Sequence, residues 1–212
     1  YSQKATIPSS HSQAIELGDV KWLRDYNQAL KESRIQNKPI LILFQEIPGC
    51  ATCRNYGQNI LTHPLLVDAI QNEFIPLAIY NNKKGADAQI LRKFKEPSWN
   101  NPVVRIINHN ELELADRLSG DYSKSGLALK MKLALLRTHG KIPEYFQIIA
   151  DEFVAEDTGL KTSYFNMYCF WTGEAQLGQL NGVINTSPGF MSCGEVVQVN
   201  YDPQLLEEKD LI

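Results

Sequence analysis

The chain has 212 residues, long enough for one large domain or for a domain with an appendage. A hydrophobic fraction of 43%, a charged fraction of 21% and a net charge of -3 are ordinary for a globular protein, and they argue against a nucleic-acid or membrane-surface partner. The longest apolar run, residues 40–44, is far shorter than the roughly 18 residues that a membrane-spanning helix needs, so we expect no membrane span.

The N-terminal segment, residues 1–15, is polar, and we expect it to form a flexible arm. It begins at Tyr1 and contains no apolar core of the signal-peptide type. Such a start is typical of a mature chain from which a targeting segment has been removed, although a chain trimmed artificially would look the same. We therefore expect a periplasmic or otherwise exported protein.

Helices and strands are predicted to alternate through residues 16–157. The apolar run Ile40–Phe44 predicts a strand that is buried on both faces, as in a central parallel sheet, and Pro39 separates it from a preceding helix. The remaining patterns predict helices at 19–38, 50–61, 65–74, 85–95, 124–140 and 143–153, and strands at 74–81, 100–108 and 112–118.

The composition changes after Asp157, where glycine, asparagine and aromatic residues become more frequent. The patterns here predict a strand at 164–171, a short helix at 173–180 and a strand at 194–203. We therefore expect an α/β fold over residues 16–157 and a small α+β appendage over residues 158–212.

Two cysteines, Cys50 and Cys53, follow the first predicted strand in the stretch PGCATC. Only a thiolate attacks a disulfide sulfur, and a helix N-terminus lowers a cysteine's pKa because it stabilises negative charge. Cys50 stands where a helix should begin, and Cys53 lies one turn later on the same face. The spacing predicts that Cys50 attacks a disulfide and that Cys53 resolves the mixed disulfide. Four cysteines in all are too few to indicate a disulfide scaffold.

The order of the elements around this C-x-x-C pair resembles the thioredoxin fold over residues 20–136. The resemblance implies a thiol-disulfide oxidoreductase that acts on protein thiols and disulfides, with an upstream redox partner and no cofactor. In that family a cis-proline begins the strand that faces the dithiol. Pro102 matches that position, so the resemblance implies a cis Asn101–Pro102 bond and a place for Pro102 in the site.

Other features leave the chemistry of this pair open. The motif lacks the tryptophan and the Gly-Pro of thioredoxins, and the strand before it contains no buried acid; the nearest acid is Glu46. Reductase, oxidase and isomerase activities all remain open. A zinc half-site is a weaker interpretation because no second ligand pair accompanies the motif, so we expect no metal. An inert disulfide is also weaker, because so short a loop would stabilise the fold little.

The stretches YCFWTGEA, SCGE and GEVVQVNYDP resemble the N-terminal core of A-type peptide-methionine sulfoxide reductases over about fifty residues. The resemblance implies that Cys169 attacks the sulfoxide and becomes a sulfenic acid, and that Phe170 and Trp171 surround the substrate methyl group. Glu195 would protonate the sulfoxide oxygen, as a carboxylic acid in an apolar pocket can. Tyr168 replaces the family's usual glycine, and the family's catalytic tyrosines and resolving cysteines are missing, so the module resembles a truncated reductase.

A fourth cysteine, Cys193, lies two residues before Glu195, and the reductase geometry would place it near Cys169. It would then resolve a sulfenic acid on Cys169 or form a disulfide with it. A structural disulfide that stabilises an appendage with a small core is an equally favoured interpretation.

Thiol-disulfide exchange through Cys50 and Cys53 is the function that these patterns favour. One alternative is a methionine sulfoxide relay, in which Cys169 attacks, Cys193 resolves and the first cysteine pair reduces the resulting disulfide. In the other alternative the C-terminal module has no redox activity and docks a partner or substrate for the dithiol.

Overall fold

The computed structural model describes residues 13–99, 101–192 and 194–211. The contacts between Cα atoms divide the chain into two compact units, Tyr1–Tyr122 and Ser123–Ile212. This division falls earlier than the change in composition at Asp157, which lies in the last turn of a helix of the second unit. The domains expected from the sequence, residues 16–157 and 158–212, stay a prediction. Most of the expected arm, residues 1–12, lies outside the described residues.

The first unit is built on a four-stranded sheet with the strand order β2-β1-β3-β4. Strand β1 (Ile40–Gln45) pairs in parallel with β2 (Ile75–Tyr80) and antiparallel with β3 (Val103–Ile107). Every residue of β1 is buried, as expected for a central strand covered on both faces. Strand β4 (Leu118–Ser119) is shorter than the predicted strand at 112–118, because only an isolated bridge at Glu113 precedes it.

Four helices accompany this sheet: α1 (Tyr26–Gln36), α2 (Ala51–Asn59), α3 (Pro64–Glu73) and α4 (Ala86–Phe94). The helix predicted over residues 19–38 begins later than expected. Leu23 forms a parallel bridge to Leu77 of β2, so the chain is extended there, and the Asp25 side chain then caps α1 by accepting from the backbone N–H of Gln28.

Alternate residues of β1 anchor the core on one face of the sheet. Ile40, Ile42 and Phe44 are fully buried and share a cluster with Ala29 of α1 and Leu91 of α4. Burial of each large apolar side chain contributes about 1.5–3 kcal/mol relative to exposure. The end of β1, from which the dithiol turn departs, is therefore held on a rigid base.

The second unit contains α5 (Lys124–His139), α6 (Glu144–Thr158), a three-stranded antiparallel sheet and α7 (Phe170–Leu177). The strands are β5 (Lys161–Asn166), β6 (Val183–Met191) and β7 (Gly194–Tyr201), with β7 in the centre. A small apolar cluster holds this sheet, and its buried members are Leu177, Val197, Val199, Tyr201 and Leu211.

The sequence patterns placed two of these elements wrongly. The strand predicted at 164–171 ends at Asn166, and Phe170 and Trp171 instead open α7. Strand β6 was not predicted, because it contains Pro188 and Gly189 and buries no residue, a pattern typical of a loop. It lies at the edge of the sheet, where proline is tolerated. No helix among the described residues is long and apolar enough to cross a membrane.

Candidate functional site

The two cysteines of the first pair occupy the start of α2, directly after the turn that leaves β1. Cys50 is the N-cap residue, with extended backbone angles (φ -70°, ψ 179°), and Cys53 lies in the first turn. Cys50 is exposed, whereas Cys53 is fully buried, and their Sγ atoms lie 3.5 Å apart. The structure thus presents one thiol to solvent and keeps the second within reach behind it.

The surroundings of the two thiols shift their pKa values in opposite directions. The pKa of Cys50 is lowered, chiefly because the backbone N–H of Cys53 at the start of α2 stabilises its thiolate. Burial raises the pKa of Cys53 to about 11, and its hydrogen bond with Cys50 acts in the same direction. Exposure and acidity therefore both favour Cys50 as the attacking sulfur.

A buried acid does reach this turn, but it comes from an unexpected part of the chain. Glu16, in the short 3-10 helix Ile15–Leu17, is 4% exposed, and its Oε1 accepts a hydrogen bond of 2.7 Å from the backbone N–H of Gly49. Gln45, at the end of β1, donates from Nε2 to the backbone carbonyls of Glu16 and Cys53. Glu16 is therefore a buried acid in contact with the dithiol turn, in addition to Glu46, the nearest acid in the sequence.

Gly49 is required by the close packing behind the dithiol. A Cβ atom built on it would lie 2.5 Å from the Cβ of Cys53 and 2.5 Å from the backbone oxygen of Glu46. The turn thus closes against the buried cysteine without room for a side chain.

The segment before β3 also reaches the dithiol. The Oδ1 atom of Asn101 lies 3.4 Å from the Sγ of Cys50, and the next residue, Pro102, is buried directly before β3. The cis bond expected at Asn101–Pro102 is wrong: in the described residues the cis peptide bond is Ile47–Pro48. The two isomers of an X–Pro bond differ by only about 1 kcal/mol, so local sequence does not decide which one a fold adopts.

Three residues of this site were missed in the sequence, and the signals for them differ. Asn101 directly precedes the expected Pro102, so its position beside the dithiol could have been inferred. Gln45 is the polar residue that ends an otherwise apolar strand. Glu16 carries no comparable signal, because its contact joins segments more than thirty residues apart.

The structure also brings together Cys169 and Glu195 of the second unit. Cys169 is the N-cap residue of α7, and the Oε2 of Glu195 accepts a hydrogen bond of 2.7 Å from the backbone N–H of Phe170. The backbone and side chain of Thr172 lower the pKa of Cys169, while the charge of Glu195 acts weakly in the opposite direction. Thiol and carboxylate thus meet at one helix N-terminus.

Aromatic side chains form a cluster that includes the two residues directly after Cys169. The ring of Phe170 lies 5.0 Å from that of Trp171 and 5.3 Å from that of Phe190, measured between centroids. Trp171 and Phe190 are 68% and 72% exposed, so they are not core residues. Cys193 lies outside the described residues, and its predicted place beside Cys169 stays a prediction.

No group of three or more His, Cys, Asp or Glu residues in the described ranges could hold a metal ion.

Comparisons with known proteins find similarity to two different families. A sequence model of the thioredoxin-like family matches residues 21–108. Among solved structures, one described as DsbH oxidoreductase is 18% identical and covers 62% of this chain and 94% of its own, with a TM-score of 0.47.

The curated relatives concern a shorter stretch. Peptide methionine sulfoxide reductase MsrA of Methanococcus maripaludis is 33% identical over 72 residues, or 26% of this chain and 46% of that protein. Peptide methionine sulfoxide reductase MsrA 1 of Nostoc sp. is 34% identical over 70 residues, or 25% of this chain and 43% of that protein. The chain spans less than half the length of these curated relatives.

Proposed function

We propose that this chain, which carries a thioredoxin-like domain over residues 21–108, catalyses thiol-disulfide exchange on protein disulfides through Cys50 and Cys53. The observation that carries the proposal is the asymmetry of the pair. The exposed thiol has a lowered pKa, and the buried thiol 3.5 Å behind it has a raised one. A nucleophile needs exposure and thiolate character, and a resolving thiol needs proximity.

The exchange proceeds in two balanced steps. The Cys50 thiolate attacks one sulfur of a substrate disulfide, which forms a mixed disulfide and releases the other sulfur as a thiolate. Cys53 then loses its proton and attacks the Cys50 sulfur, which releases the second substrate thiol and leaves a Cys50–Cys53 disulfide. Two electrons pass to the substrate, and the reverse sequence oxidises a substrate dithiol.

Three neighbours support this cycle by position. The backbone N–H groups at the start of α2 stabilise the Cys50 thiolate, and the Asn101 oxygen accepts from the Cys50 thiol when it is protonated. Glu16 fixes the turn through Gly49, so that the two sulfur atoms stay within reach of each other.

The test is reduction of insulin disulfides by the chain with dithiothreitol as electron donor. Cys50→Ala should abolish the catalysed rate. Cys53→Ala should slow turnover, because dithiothreitol must then resolve the mixed disulfide, and it should leave Cys50 open to alkylation. Catalysis that survives in Cys50→Ala would refute the proposal.

The second unit supports a further candidate function, methionine sulfoxide reduction, because Cys169 and Glu195 meet at the start of α7. In that reaction the Cys169 thiolate attacks the sulfoxide sulfur while the sulfoxide oxygen receives a proton. The oxygen is transferred to Cys169, which becomes a sulfenic acid, and methionine is released. A thiol then condenses with the sulfenic acid and releases water. Turnover of peptide methionine sulfoxide with dithiothreitol, lost in Cys169→Ser, tests this; no turnover in the unaltered chain would exclude it.

The location of the protein stays a prediction from the sequence. We propose that it is periplasmic or otherwise exported, where a dithiol would meet the disulfides of other exported proteins. Fractionation of cells that express the full-length gene would test this, and a cytosolic distribution would contradict it.

A further inference from the structure

A cavity of about 490 Å³ opens beside β2 and α4 in the first unit. Its lining includes Asn81, which directly follows β2, and Leu91 and Arg92 of α4. Three cations line it, Lys83, Lys84 and Arg92. The cavity lies beyond the carboxyl ends of parallel strands β1 and β2, the edge at which open α/β sheets bind ligands.

Asn81 is the unusual residue of this cavity. It is 1% exposed, and its backbone N–H donates to the carbonyl of Gln45, which fixes it between the ends of the two parallel strands. Neither its Nδ2 nor its Oδ1 has a hydrogen-bond partner in the described part of the chain. A buried polar atom without a hydrogen-bond partner destabilises the fold, so a carboxamide with two such atoms calls for an outside partner.

The charge of the cavity indicates what kind of partner fits. Lys83, Lys84 and Arg92 are exposed and form no ion pair with any residue in the described ranges. The one acid in the lining, Glu96, has a side chain that is 1% exposed and already pairs with Arg105 and Arg117. The free charge is therefore positive, although the whole chain carries a net charge of -3.

The cavity is tied to the dithiol turn through one asparagine. The Oδ1 of Asn82 accepts from the backbone N–H of Ile47 at 3.3 Å, and its Nδ2 donates to the carbonyl of Pro48 at 3.2 Å. Asn82 also lines the cavity, and Pro48 lies two residues before Cys50. A chain whose disulfide reaches Cys50 can therefore extend a neighbouring segment over Asn82 into the cavity.

We propose that this cavity binds an acidic peptide segment next to the disulfide of the substrate protein. A peptide group offers one acceptor and one donor, which match the free Nδ2 and Oδ1 of Asn81. A carboxylate of the same segment matches the three cations, which make charge-assisted hydrogen bonds to such groups. The inference rests on the proposed exchange activity and adds its substrate class.

The experiment compares two fluorogenic cystine peptides that differ only in three residues beside the cystine, Glu in one and Gln in the other. At low salt the unaltered chain should reduce the Glu peptide about tenfold faster in kcat/KM, and added salt should remove the difference. The triple variant Lys83→Gln, Lys84→Gln, Arg92→Gln should lose this preference. Equal rates on the two peptides by the unaltered chain would overturn the inference.

A matched triple variant controls for net charge. This control also removes three positive charges, by the substitutions Lys31→Gln, Arg34→Gln and Lys38→Gln. They lie in α1 or directly after it, and none of them lines the cavity. The variant should keep the preference, and loss of the preference in this control would overturn the inference in favour of a general field effect.

Binding without chemistry separates this inference from the proposed function. The Cys50→Ala, Cys53→Ala double variant should bind a cysteine-free Glu peptide more tightly than its Gln counterpart in titration calorimetry. That result supports the cavity even if no disulfide is turned over. Disulfide turnover with no difference in binding would overturn the cavity inference and leave the exchange activity standing.

Discussion

Replacement of Gly49 by alanine should damage both the stability and the activity of the first unit. The added methyl would lie 2.5 Å from the Cβ of Cys53 and from the backbone oxygen of Glu46, and 3.1 Å from the Cys53 Sγ. Carbon atoms pack best at about 3.5–4.0 Å, so one of these neighbours must move by ~1 Å. Neither can do so freely, because Cys53 is fully buried and the oxygen belongs to the backbone.

The expected magnitude follows from overpacking. Forced insertion of a methyl group into a tight site costs about 1–3 kcal/mol. In a protein of this size each kcal/mol lowers Tm by ~2–4 °C, which thermal unfolding followed by circular dichroism resolves. Either shift would change the position of the resolving Cys53 relative to Cys50, so kcat/KM for insulin reduction should fall ~10- to 100-fold, as misplacement by ~1 Å can cost that much.

The matched control is Gly189→Ala. Gly189 lies in the edge strand β6, and an added Cβ there would meet no atom within 4 Å. Its unfolding free energy should stay within about 0.5 kcal/mol of the unaltered chain, with unchanged insulin reduction. A Gly49→Ala variant as stable and active as this control would refute the packing account of the turn.

Further predictions concern the acids and thiols of both units. Alkylation of Cys50 by iodoacetamide should increase at a lower pH than alkylation of an ordinary thiol, because only the thiolate reacts. Cys53 should react only near pH 11. Peptide mass mapping that finds the same pH profile for both cysteines would contradict this. Glu16→Ala removes the acceptor for the Gly49 N–H and should lower the unfolding free energy by about 1–3 kcal/mol. Glu16→Gln keeps an acceptor and should lower it less. Equal losses of the two variants in urea unfolding would count against a stabilising role of this hydrogen bond. Glu195→Gln should speed alkylation of Cys169 at neutral pH, because it removes a charge that raises that pKa; a slower rate would reverse the assigned sign.

The central strand and the dithiol helix could be predicted because their signals are local. Ile40–Phe44 is apolar throughout, and the Pro48–Gly49 turn separates it from the helix that Cys50 opens. Amphipathic spacing and turn residues act over a few positions, so a single sequence contains them.

The contacts that complete the site could not be predicted from local sequence signals. Glu16 is separated from Gly49 by helix α1 and strand β1, so their hydrogen bond forms only in the folded chain. The buried carboxamide of Asn81 is likewise set by strand ends that pair only in the folded chain. The edge strand β6 was not predicted because it is a strand through its pairing with β7, and its own composition does not favour a strand. Tertiary context decided all three.

Trapping of the mixed disulfide tests the central claim most directly. A Cys53→Ser variant mixed with an oxidised substrate protein should accumulate a covalent complex, and mass spectrometry of its peptides should place the link at Cys50. The reciprocal Cys50→Ser variant should trap nothing, because Cys53 is buried and its pKa is raised to about 11. A complex linked through Cys53, or equal trapping by both variants, would contradict the assignment of Cys50 as the attacking thiol.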